Sequence, residues 1–112
     1  MSNEIEKIRI GQLEGPTIKA NGRLLGSLAA PSRPFERWFG GDLWETTGGA
    51  YIADSIHFSD IDGEDDHHRA LILYPDMPEQ ERRLAVMAHF NWTHQARALA
   101  KRLGWSLVVT VD

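Results

Sequence analysis

The stretch that decides the fold is DMPEQERRLAVMAHFNWTHQARALAKRLG, residues 76–104. Asp76 stands where an N-cap belongs, Pro78 suits a first turn, Glu79 completes a capping-box spacing and Gly104 supplies a stop. This local chemistry predicts one helix from Met77 to Leu103. At about 100° per residue, Ala85, Ala88, Ala96, Leu99 and Leu103 fall within about 40° of Trp92 and make an apolar stripe for packing on a sheet. Val86, Met87 and Phe90 fall roughly 120° or more away, among Arg83, His94, Arg97 and Lys101. On a helix with one buried face, those three would form a compact exposed patch rimmed with bases, which is how interaction surfaces read.

Around this helix the chain reads as strands and turns. Ile5 to Leu13 suits a half-buried strand, and Asn21-Gly22, between 17–20 and 23–25, predicts a hairpin turn with positive φ at both central residues. Pro31 to Gly41 carries Phe35, Trp38 and Phe39 between prolines and glycines, with Ser32 placed to cap a single helical turn. A second hairpin joins 43–47 to 50–58 through Gly48-Gly49, an acidic loop spans Ser59 to Asp66, and a further strand runs from His67 to Tyr74. Ser106 to Val111 reads as a last strand. The expectation is a single α+β domain over 1–112: a mostly antiparallel sheet built from hairpins, one long C-terminal helix on a face, and a final strand.

Composition narrows the function classes. The 112 residues are 42% hydrophobic and 25% charged, the balance of an ordinary globular domain. The absence of cysteine excludes disulfides, a thiol nucleophile and a thiolate zinc site. The charged N-terminus and the lack of a long apolar run lead to the expectation of a cytoplasmic protein with no membrane partner. The net charge of −4 argues against a nucleic-acid partner, and the acids concentrate in the middle of the chain, from Asp42 to Asp76. No phosphate-binding loop, nucleophile elbow, dinucleotide fingerprint or zinc-protease motif is present, which favours a non-enzymatic role without a cofactor.

Two candidate sites remain. The first is the outer helix face, with Val86, Met87, Phe90, His94 and Arg97, joined by Phe35 and Trp38 of the aromatic loop. It would bind a second copy of the chain or another protein, and a two-fold helix pairing would give a homodimer. The second lies in the 57–68 hairpin. If Phe58 faces His67, then His57 faces His68, and with Asp60 or Asp66 the two imidazoles would offer a divalent metal nitrogen and oxygen ligands, which would make the chain a metal-binding protein or a metal-dependent enzyme. The site depends on register, because a one-residue slip moves the two histidines to opposite faces.

Overall fold

The computed structural model describes residues 4–30 and 36–112. Phe35, and with it the start of the helical turn expected after Ser32, lies outside the described residues. Five strands follow in order: β1 (Glu6–Ile10), β2 (Ile18–Ser27), β3 (Arg37–Thr46), β4 (Tyr51–Ser59) and β5 (His67–Leu73). They pair antiparallel with their sequence neighbours into one sheet. Gly40 and Gly41, expected to stop a helical turn, lie inside β3.

The sheet curls because its two ends are tied together. Gln12, just after β1, bridges to His68 of β5, and its side-chain oxygen accepts from the Ala70 amide at 2.9 Å. Alternation along the strands then sorts the side chains by face. Ile8, Ile10, Ile18 and Ile52 cluster with Ala20, Trp44, Ala70 and Ile72 on one face, and Leu43, Tyr51, Ala53 and Leu73 pack against the helices on the other. The β3–β4 hairpin turns at Gly48-Gly49 as its sequence indicates, with Gly49 at φ +90°. Asn21-Gly22, in contrast, lies inside β2, where Gly22 is opposite Glu6 on one side and Thr46 on the other. The β1–β2 connection is instead the 11–17 segment, held by Gln12 Nε2 donating to the Pro16 carbonyl at 2.9 Å.

The long helix is two helices, α1 (Glu79–His89) and α2 (His94–Arg102). Asn91 and Trp92 both take positive φ, 58° and 53°, and the Trp92 amide donates to the Met87 carbonyl, which closes the first helix. Thr93 starts the second by accepting from the Ala96 amide at 3.2 Å. Asparagine tolerates the left-handed conformation and threonine is a good N-cap, so Asn91-Trp92-Thr93 is a stop followed by a start. The break removes the outer face described above. Val86, Met87 and Phe90 are buried with Leu43, Ala53, Leu73 and Leu99, whereas Ala88 is exposed and Trp92 partly so. These three apolar residues are therefore core and not an interaction patch. His94 and Arg97 are exposed on α2, and the Arg97 guanidinium lies 5.3 Å from the centre of the Trp92 ring. The last strand is not formed. Residues 105–112 pair with no strand among the described residues, and Val108, Val109 and Val111 are exposed.

A polar network ties α1 to the sheet. Glu79 accepts from the Tyr51 hydroxyl at 2.6 Å and from Arg83 Nε at 2.9 Å, and it pairs with Arg82, whose Nη1 donates to the Gly49 carbonyl at 2.8 Å. Burial together with the Glu79 hydrogen bond pushes the Tyr51 hydroxyl up to about 12. For Glu79 itself burial raises the pKa, but the hydrogen bonds from Tyr51 and Arg83 and the nearby guanidinium charges outweigh it and hold the carboxyl below its ordinary 4.5. A depressed carboxyl pKa contributes stability above the unfolded value, and that contribution is lost as pH falls through the folded one. Glu79→Gln should therefore be less stable than wild type at pH 7, with the difference shrinking below about 4.5. Urea unfolding of both proteins at neutral and acid pH measures it. A difference that is constant with pH would assign the effect to packing instead.

Candidate ligand cleft

The described residues with the densest unused chemistry surround one cleft of about 680 Å³, at the end of β5 and between the β1–β2 turn and the end of α1. The strand register builds it. His57 of β4 stands opposite His67 of β5, Ser55 opposite Arg69, and Ile56 opposite His68. Leu13 and Glu14 enter from the β1–β2 turn, Phe39 from β3, and His89 and Asn91 from the end of α1. Four histidines and an arginine, from three separate elements, thus line a single space.

Behind one wall of the cleft, on the opposite face of the sheet with Ile52 and Ala70, Asp54 and His68 form a pair. Their positions are diagonal across β4 and β5, and Asp54 Oδ2 lies 2.7 Å from His68 Nδ1. Asp54 is almost wholly buried, whereas the His68 side chain keeps about a third of its surface exposed. Burial raises the Asp54 pKa, opposed by the hydrogen bond and charge of His68, and Asp42 across β3 raises it further. When Asp54 is ionised its carboxylate accepts a hydrogen bond from Nδ1–H and so orients the ring. The second carboxylate oxygen, Oδ1, is buried without a hydrogen-bond partner among the described residues. A buried polar atom in that condition costs about 1–3 kcal/mol, which a functional site tolerates more readily than a plain core does.

At the other wall the donors are free. The side chains of His67 and Arg69 are exposed and make no hydrogen bond or ion pair with the described residues. His89 is anchored by a 2.8 Å hydrogen bond between its Nε2 and the Arg69 carbonyl, so the ring is held toward β5. Phe39, 73% exposed, stacks on His57 with ring centres 4.7 Å apart and planes 15° apart.

The metal set expected in this hairpin is not assembled. His57 faces His67, one residue away from the register that would bring it opposite His68. Asp66 is occupied at the loop, where its Oδ1 accepts from the Ser59 amide at 3.0 Å, and Asp60 is exposed with its amide donating to the Glu36 carbonyl. The loop is instead held by Arg37, bidentate to Glu64 at 2.6 and 3.0 Å, and by Ser59 donating to Glu64 at 2.6 Å. Hydrogen bonds from Arg37 and Ser59 hold the Glu64 carboxyl down at about 2. Among the described residues no three His, Asp or Glu side chains converge to hold an ion. Trp38 is half-buried and stacked on Phe58, with ring centres 5.3 Å apart.

Of the cleft residues, the sequence singled out His57 and His68 as metal ligands and Phe39 as part of the aromatic loop. Asp54 carried a signal as a lone charge in the apolar run Tyr51 to Ile56; Arg69, His67 and His89 carried none. No protein-family model, curated protein or solved structure matches the chain, and no helix is long and apolar enough to cross a membrane.

Proposed function

We propose that the protein is a small binding domain that takes an anionic group into the histidine-lined cleft. The observation that carries the reading is the pairing of unused donors with available space. The Arg69 and His67 side chains make no ion pair or hydrogen bond among the described residues, yet they face a volume within the usual range for ligand sites, about 300–1,000 Å³. Arginine is suited to carboxylate and phosphate because its planar fork matches two oxygens at once. The partner side of the function thus moves from the outer helix face to the sheet edge, and the role remains one of recognition.

Titrating isotopically labelled protein with sodium phosphate, and following the backbone amides by NMR, tests it. Saturable shifts are expected at His67, Arg69 and His89. Replacing the exposed Arg69 by Gln should weaken binding about tenfold, the usual consequence of losing a charge-assisted hydrogen bond. Amides that stay in place at tens of millimolar phosphate would refute the reading.

A further inference from the structure

We infer that the occupant of the cleft is a small planar aromatic molecule bearing one anionic group, with its ring on Phe39 and its charge on Arg69 and His67. The inference rests on the anion reading and adds to it the part of the ligand that is not charged.

Phe39 is the ground for it. A phenyl ring that is 73% exposed near the start of a strand is costly to leave in water, and it is not a loose side chain. Its one face lies flat on His57, with the planes 15° apart, and this holds the ring in a fixed orientation. A fixed aromatic surface at the rim of a cleft is what a planar ring stacks on, and such stacking tolerates many ring identities because every aromatic has a face to offer. Phe39 also borders a second hollow of about 190 Å³, lined with it by Ser55 and Asn91, so the ring lines two hollows and does not lie against a flat surface.

Charge limits the rest of the ligand. Beyond His57 and His67 the neighbouring hollow is lined by Glu64 and Asp65, and its one guanidinium, Arg37, is already neutralised by Glu64. Glu14 also lines the cleft. An extended polyanion would meet these carboxylates on leaving the Arg69 wall, whereas a molecule with a single anionic group would not. The chemistry is thus that of a mononucleotide or an aromatic carboxylate, not a nucleic-acid strand.

Four probes on the whole chain separate the elements of this inference: adenosine 5′-monophosphate and 4-hydroxybenzoate, which carry ring and charge, adenosine, which lacks the charge, and inorganic phosphate, which lacks the ring. At least one of the first two should bind about tenfold more tightly than adenosine and than phosphate, and which one does identifies the source of the ligand. Phe39→Ala should remove that advantage while leaving phosphate affinity unchanged, and in wild type the Phe39 ring protons should shift upfield on saturation. The ring-proton shift is read without any substitution, so it stands even where the variant misfolds. Phosphate binding as tightly as both combined probes, with Phe39 unmoved, would overturn the inference and spare the anion reading, whereas adenosine binding as tightly as both would show that the charge contributes nothing and would overturn the two readings together. Silence from all four probes would overturn both.

Discussion

Phe90→Asp is expected to leave the chain unfolded at room temperature. Phe90 is 3% exposed, and its ring lies so close to β3 that a Cβ added at Gly41 would sit 2.7 Å from it. Truncating a buried phenylalanine costs about 3–5 kcal/mol, and a carboxylate in the same place adds the cost of an unpaired buried charge. Set against a total stability of about 5–15 kcal/mol, the sum exceeds what a domain of this size tolerates. Circular dichroism in urea tests it, with Arg97→Asp as the control: Arg97 is exposed on α2, and its loss should change stability by less than about 1 kcal/mol. A Phe90→Asp protein that is folded, monomeric and close to wild type in stability would mean that this face is surface after all, and would restore the homodimer that the sequence suggested.

The contrast between Phe90 as patch and Phe90 as core shows what the sequence could and could not convey. The α+β class, the second hairpin at Gly48-Gly49, the strand starting at His67 and the two outer helix ends were legible because each rests on residues adjacent in the chain. The face of the helix was not. Helical periodicity extrapolated through Asn91-Trp92-Thr93 assigns Val86, Met87 and Phe90 to solvent and Ala88 to the core, the reverse of their places, since two residues at positive φ reorient the axis. Capping by Thr93 and tolerance of left-handed φ by Asn91 were visible signals, outweighed by those read at Asp76 and Gly104; yet Asp76 does not cap α1, whose N-cap position is Pro78 with no side-chain cap.

The cleft was less legible for a different reason. His57, His67, His68 and Arg69 come together through a strand register that the acidic loop leaves open by one residue, and His89 joins them only through the packing of α1 on the sheet. Period-2 alternation identifies which residues share a face within a strand but not which residues they oppose across it. Asp54 and His68 approach to 2.7 Å on a diagonal that only the register defines.

Gly22→Ala should destabilise the fold by at least about 3 kcal/mol, at the upper end of what overpacking costs. In an ordinary strand the same change is mildly favourable, because alanine has less backbone freedom to lose than glycine. Here the sign reverses for a geometric reason. Gly22 is buried in the middle of β2, and a Cβ on it would stand 2.3 Å from the Glu45 carbonyl oxygen and 2.9 Å from the Thr46 Cα. Both are backbone atoms of β3, so no rotamer change relieves the clash; only separation of β2 from β3 does, and that breaks the Arg23–Glu45 pair at 2.7 Å alongside. Asn21-Gly22 is thus a close approach of two strands and not a turn, which is why a strong hairpin signal sits inside a ten-residue strand. Gly11→Ala supplies the comparison, since nothing lies within 4 Å of the added Cβ there, and it should be neutral or gain up to about 1 kcal/mol. Urea midpoints for the two variants should therefore move in opposite directions or by very unequal amounts. Equal midpoints would return Gly22 to a turn and require a different pairing of β1, β2 and β3.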